Sequence, residues 1–240
     1  MILRSVFWYF CFVGSLLSYT PKLFLTRRKE KTMESHEFNR YVNRLVSGFA
    51  LSNVKRSGAR FHIEGMENVP KDETVVFVSN HQGDFDIAVF LAYLPIPHGY
   101  VAKIEMLKVP LLRDWMKLIK CIFIDRKNIR QTAKTFIEGI KILQSGHSLV
   151  LFPEGTRSKS EKLGEFKAAS FKLATKAKVP IVPVSINGTF RIMEANKGLI
   201  KPADVYVKIH PIIRTDGMED FSGLPEMVKG IIESGLKNQA

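Results

Sequence analysis

Cysteine is almost absent from this chain of 240 residues. Its two copies, Cys11 and Cys121, cannot build a disulfide framework, and neither falls in a spacing that ligates metal, so a reducing compartment fits and no metal site is expected. His36, His62, His98, His147 and His210 stand singly, without acidic or cysteine neighbours, and read as structural. Negative charge is the second shortage. Only 23 Asp and Glu face 36 Lys and Arg, and the net charge of +13 implies attraction to anions: membrane phosphates, an acidic carrier protein or nucleic acid. The cations are dispersed, with local groups at Arg27-Arg28-Lys29 and Lys55-Arg56, and no nucleic-acid motif accompanies them. The membrane surface therefore ranks first, and no specific nucleic-acid partner is expected. A sharp Gly-x-Ser-x-Gly turn is also missing around Ser79, which argues against a covalent serine nucleophile.

What is present begins with an apolar leader. Ser5 to Pro21 carries no charge and would form a helix of about 26 Å, slightly short of a ~30 Å hydrocarbon core. Pro21 is expected to end that helix, and Phe7, Trp8, Tyr9, Phe10 and Phe12 suit an interface or a shallow insertion. An uncleaved membrane anchor is the favoured reading over a signal peptide, and whether it crosses the bilayer stays open. A second helix, from Glu34 to Lys55, collects Phe38, Tyr41, Val42, Leu45, Val46 and Phe49 on one face. Its place after the leader and the basic cluster points to membrane contact ahead of packing on a soluble core. The expected division is residues 1–56 as a membrane-anchoring helical pair and 57–240 as one α/β domain, a length sufficient for one buried core.

From Arg60 onward, apolar runs of strand length alternate with helical periods. Strands are expected over 60–64, 74–79, 99–102, 121–124, 148–152, 180–186 and 204–210, and helices over 85–94, 110–119, 129–144, 166–177 and 224–236. Such alternation predicts a largely parallel or mixed sheet flanked by helices.

The chemistry-bearing residues follow strand ends. Asn80-His81-Gln82-Gly83-Asp84-Phe85-Asp86 places a histidine five positions before an aspartate. An imidazole near its usual pKa of about 6.5, backed by a carboxylate, is a general base; the alternative is a half-buried histidine beside a helix-capping acid. Five positions on one helix would face the pair poorly, so the chain must turn between them, and Gly83-Asp84 can supply that turn. The run 148–152 enters Pro153-Glu154-Gly155-Thr156-Arg157-Ser158. There Gly155 permits close backbone approach, Thr156 and Ser158 offer hydroxyls, and Arg157 offers a planar donor fork for phosphate. Asp125 and Arg126 follow the run 121–124, and Lys103, just past 99–102, is a further candidate phosphate donor. All of these follow carboxyl ends, which share one edge of a parallel sheet. Asn187-Gly188-Thr189 fits a glycosylation pattern and carries little weight.

These blocks resemble the 1-acylglycerol-3-phosphate acyltransferases of the glycerolipid acyltransferase group. The matches occur in order: His81 with Asp86, then Phe123-Ile124-Asp125-Arg126, Phe152 to Arg157, and Val179 to Val184, spread over roughly residues 75 to 186. The resemblance implies that a fatty acyl group passes from a thioester to the 2-hydroxyl of 1-acylglycerol 3-phosphate (lysophosphatidic acid), giving phosphatidic acid. It implies His81 as base and Asp86 as its partner. Arg126, Glu154, Gly155 and Arg157, with Thr156 and Lys103, would form the acceptor-phosphate region, and Pro183 part of the acyl-side wall. No cofactor is implied, only an acyl-carrier-protein or coenzyme A thioester as co-substrate. The expected setting is the cytoplasmic face of the inner or plasma membrane. Transfer to glycerol 3-phosphate or another lysolipid, or non-catalytic lipid binding, are the alternatives.

Overall fold

A computed structural model of the chain describes residues 1–218 and 220–237. Seven strands form one sheet: β1 (Arg60–Glu64), β2 (Val76–Ser79), β3 (His98–Lys103), β4 (Ile122–Ile124), β5 (Ser148–Leu151), β6 (Ile181–Asn187) and β7 (Asp204–Ile209). Their spatial order is β1-β7-β6-β2-β5-β3-β4. β6, β2, β5, β3 and β4 run parallel, and β7 lies antiparallel to β6 with β1 parallel to β7. Parallel neighbours need a crossover, usually a helix, whereas the β6–β7 connection contains only two short 3-10 turns, so the chain returns alongside in the opposite sense. The sheet is therefore mixed at one side and parallel where the motif-bearing strands lie.

Helices cover both faces. α3 (Ser35–Ser57), α4 (Phe85–Tyr93) and α5 (Leu112–Leu118) pack on one face with Phe77, Val150, Val182 and Val184; α6 (Ile129–Gln144), α7 (Ala168–Ala177) and α8 (Leu224–Lys237) pack on the other with Val76, Val78, Leu149 and Ile181. Successive strand residues thus feed opposite cores, which is why β2 and β5 are continuous buried runs. Each such buried side chain contributes about 1.5–3 kcal/mol relative to exposure. Local signals set the helix ends. The Asn128 side chain accepts the Gln131 N–H at 3.1 Å to start α6, and Gly58, at φ +78°, closes α3 in the left-handed conformation.

The N-terminus departs from its sequence reading in two ways. Pro21 does not end a helix. α1 (Ile2–Ser18) gives way at Tyr19 to α2 (Thr20–Lys29), with Pro21 in the first turn of α2, where a missing N–H costs nothing. The apolar face of α3 is not left open for lipid: Phe38, Val42, Val46, Ala50 and Val54 are buried, and α3 packs along α4. Periodicity identifies the apolar face, and position after the leader does not tell what covers it. α1 and α2 dock on the body by a second stripe, Ser5, Trp8, Leu23 and Thr26. Trp8 Nε1 donates to the Asn53 carbonyl at 2.9 Å, Ser5 Oγ accepts the Ile200 N–H at 2.8 Å, and Arg27 pairs with Asp114 at 2.9 Å. The opposite stripe, Leu3, Val6, Phe7, Phe10, Val13, Leu17 and Phe24, is exposed.

Candidate active site

β2 ends at Ser79, and Asn80 fastens that end to β6 through two bonds, Nδ2 to the Ile186 carbonyl at 2.8 Å and the Ile186 N–H to Oδ1 at 2.9 Å. The next four peptide N–H groups all point at carboxylates. His81 N–H donates to Glu154 Oε1 at 2.7 Å, Gln82 and Gly83 N–H to Asp86 Oδ2 at 2.7 and 2.9 Å, and Asp84 N–H to Glu194 Oε1 at 2.7 Å. Three acids, Asp86 from the helix that follows and Glu154 and Glu194 from distant segments, thus grip one turn. Without that turn His81 and Asp86 would sit on mismatched faces. With it, His81 Nδ1 meets Asp86 Oδ2 at 2.7 Å.

Asp86 is fully buried, and its other oxygen accepts the Thr189 hydroxyl. A buried carboxylate is tolerable only when its lone pairs are filled, and here four donors fill them. Because Asp86 Oδ2 already takes two peptide N–H groups, it can only accept from His81. Nδ1 therefore carries the proton and Nε2 presents its lone pair. The His81 ring stacks on Phe152 with centroids 4.0 Å apart and planes at 17°, and its side chain is 15% exposed, so Nε2 is fixed in direction yet reachable.

Glu154, which the resemblance puts in the acceptor-phosphate region, turns its carboxylate onto the histidine loop. Its oxygens accept the His81 and Gly164 N–H groups, the latter at 2.9 Å, so it holds the histidine loop and has no donor to offer a phosphate. Burial, opposed by those two hydrogen bonds, pushes its carboxyl above the ordinary range. Gly155 adopts φ +71°, and Arg126, exposed, lays its guanidinium on that glycine and donates Nη1 to its carbonyl. A Cβ at Gly155 would come within 3.2 Å of that guanidinium, so any other residue would strain this backbone and push Arg126 aside. Thr156 is exposed in the same turn, and Arg157, about one-third exposed, pairs its Nη1 with Asp84 and, at 3.3 Å, with Glu194. Lys103 is exposed at the carboxyl end of β3, in register with Ile124, two positions before Arg126. His81, the Gly155 turn, Lys103 and Arg126 therefore lie at or just past the carboxyl ends of four adjacent strands, in the order β2-β5-β3-β4. Pro183 lies within β6 opposite Val78, buried in the sheet before Asn80, with its carbonyl accepting the His210 N–H at 2.9 Å.

Four residues of the site carry no assigned role in the sequence reading. Gln82 Oε1 accepts the Gly188 N–H at 2.8 Å, Thr189 donates to Asp86, Phe152 carries the His81 ring, and Glu194 caps the loop. Gln82 and Phe152 sit inside the motif blocks and Thr189 in the Asn187-Gly188-Thr189 triplet, whereas Glu194 carries no signal. Gly188, at φ +104°, turns the chain so that Thr189 is buried against Asp86, and the threonine of that triplet faces the site rather than the surface.

A histidine held by a buried carboxylate, at the carboxyl edge of an α/β sheet with arginines on the adjoining loops, has the geometry that general-base chemistry beside an anionic ligand requires. The chain belongs to the acyltransferase family, whose model, described as Acyltransferase, matches residues 60–187. A Borreliella burgdorferi protein named 1-acyl-sn-glycerol-3-phosphate acyltransferase is 30% identical over 183 residues, covering 76% of this chain and 71% of that protein. A Mycoplasma pneumoniae protein named "Probable 1-acyl-sn-glycerol-3-phosphate acyltransferase" is 41% identical over 165 residues, 67% of this chain; the match spans 60% of that relative's length. The crystal structure of the 1-acyl-sn-glycerophosphate (LPA) acyltransferase PlsC from Thermotoga maritima superposes with a TM-score of 0.88 at 26% identity, covering 99% of this chain and 95% of that one.

Proposed function

We propose that this protein transfers a fatty acyl group from an acyl thioester to the 2-hydroxyl of 1-acylglycerol 3-phosphate, releasing phosphatidic acid and a free thiol. The observation that carries this reading is the His81–Asp86 pair, with Nδ1 committed to the carboxylate and no hydrogen bond on Nε2 among the described residues. Nε2 takes the hydroxyl proton as the oxygen attacks the thioester carbonyl. The tetrahedral oxyanion then collapses, the carbon–sulfur bond breaks, and the leaving thiolate recovers the proton from His81. Asp86 fixes the tautomer and stabilises the imidazolium, a general-base contribution of roughly 10²–10⁴-fold. No protein nucleophile takes part. The N–H groups of residues 81–84 are all capped by carboxylates, so the oxyanion donors come from elsewhere.

Arg126, Arg157 and Lys103 would hold the acceptor's phosphate, with Gly155 and Thr156 giving the turn its close approach, and would thereby set the hydroxyl beside His81. Glu154 supports that region by holding the loop, and Pro183 would back the acyl side. The donor is a carrier-protein or coenzyme A thioester, and the basic surface suits either.

Residues 1–56 would seat the enzyme on its lipid substrate through the exposed stripe of α1 and α2, leaving 57–237 as the catalytic body; residues 238–240 lie outside the described residues. The run Ile2–Lys29 is apolar enough to cross a bilayer, but it touches the body near both ends, through Ser5 and Trp8 and again through Leu23 and Arg27. This supports a helix lying in the interface plane. Free Cys11 and Cys121 and the excess of cations favour the cytoplasmic face. Purified protein supplied with carrier-bound or coenzyme-bound donor should acylate 1-acylglycerol 3-phosphate in preference to glycerol 3-phosphate. Preference for the latter would overturn the acceptor assignment.

A further inference from the structure

Glu194 lies outside every motif block, on a short 3-10 turn (Glu194–Asn196) beyond β6. Its side chain is 5% exposed and folds back onto the histidine loop. Oε1 accepts the Asp84 N–H at 2.7 Å and also Arg157 Nη1 at 3.3 Å. Oε2 is buried without a hydrogen-bond partner among the described residues, above Gly83, where a Cβ would come within 2.5 Å of it. Desolvation holds this carboxyl above the ordinary range. A buried, half-satisfied acid is costly, and capping one peptide N–H would need only a neutral amide oxygen.

Arg157 accounts for the charge. Its Nη1 is shared between Asp84 and Glu194, while Nε and Nη2 make no hydrogen bond among the described residues. Two carboxylates thus tether one corner of the guanidinium, and the opposite edge is left as the paired-donor face that matches a phosphate oxyanion. Asp84 alone gives weaker control, because its side chain is 58% exposed and free to swing with the arginine. Glu194 does not swing: its one bonded oxygen is fixed by the loop peptide two residues before Asp86.

We propose that Glu194 is a positioning residue for the acceptor's phosphate, tying Arg157 to the loop that carries His81 so that the phosphate-binding edge and the base keep a fixed separation. This rests on the acyl-transfer reading above. The acceptor then arrives with its phosphate and hydroxyl registered against two groups held by one turn, and the donor thioester does not feel the tether.

The test is Glu194→Gln, close to isosteric and still able to accept the Asp84 N–H, assayed with 1-acylglycerol 3-phosphate in mixed vesicles beside wild type and Arg157→Ala. Glu194→Gln should melt within a few degrees of wild type and raise KM for the acceptor about tenfold, with donor KM within about twofold. In the Arg157→Ala background the same change should add little, because both substitutions remove one arrangement. An acceptor KM that stays within twofold or falls overturns the proposal, as does a full tenfold effect persisting without Arg157. Failure of wild type to acylate any lyso-acceptor would instead remove the functional reading itself, so the two failures are distinguishable.

Discussion

Replacing Asp86 by Asn separates shape from charge at the base. Oδ2 of Asp86 accepts three donors, His81 Nδ1–H and the Gln82 and Gly83 N–H groups, while Oδ1 faces only the Thr189 hydroxyl. An asparagine therefore has one good orientation: oxygen where Oδ2 was, and NH₂ toward Thr189, whose hydroxyl can rotate to accept and to donate to Gln82 Oε1, 3.5 Å away. The turn, the His81 tautomer and the stack on Phe152 all survive. What disappears is the negative charge beneath the imidazolium. A hydrogen bond to a charged acceptor contributes about 1.5–3 kcal/mol and a neutral one about 0.5–1.5, so the transition state loses about 1–2 kcal/mol, or roughly 5–30-fold in kcat. In serine proteases the corresponding change costs about 10⁴-fold because the tautomer is wrong. Here two peptide donors forbid that error. Steady-state kcat together with a melting curve decides the matter. A loss near 10⁴-fold in a folded Asp86→Asn protein would show that the peptide donors do not fix the tautomer, and a loss under twofold would show that the charge is idle.

Two further predictions concern membrane attachment and acid stability. Phe10→Asp on the exposed stripe of α1 should abolish flotation with anionic vesicles while leaving transfer to a detergent-dispersed acceptor within about threefold, since Phe10 touches none of the site; unchanged flotation would remove α1 from the membrane face. Burial pushes His98 down to about 4 and His147 down to about 3. Both are neutral when folded and charge below about pH 6.5 when unfolded, so their contribution is complete above pH 6.5 and declines as pH falls toward those values. At pH 5 the two together should lower unfolding stability by about 4 kcal/mol, partly offset by the raised carboxyls of Glu154 and Glu194, which act in the opposite sense. Urea denaturation at pH 7 and pH 5 measures this, and equal midpoints would contradict it.

The sheet was legible because its central strands are short β-branched runs buried on both faces, with turn residues at each carboxyl end. That pattern brings His81, Lys103, Arg126 and Arg157 to one edge, while alternation at the edge strand Arg60–Glu64 and helical periodicity over Ile129–Gln144 give those two elements to the residue. Strand direction at β7 was not legible, since it depends on the absence of a crossover helix between Gly188 and Ala203. The partner of α3 was hidden for a related reason: a periodic apolar face does not identify what lies against it. Thr189 and Glu194 lie 103 and 110 positions from the loop residues they hold, a separation that no local pattern spans. Glu154 shows the opposite case, a residue conspicuous in its motif whose work is turned inward onto the backbone of His81.

The central claim is that Nε2 of His81 removes the acceptor hydroxyl proton. Its most direct test is the rate of phosphatidic acid formation by purified His81→Ala, which keeps the Asp86, Glu154 and Glu194 contacts to the loop backbone. The account predicts a fall of at least about 10²-fold with vesicle binding and melting temperature close to wild type. A folded, membrane-bound His81→Ala protein that forms phosphatidic acid at the wild-type rate would contradict it.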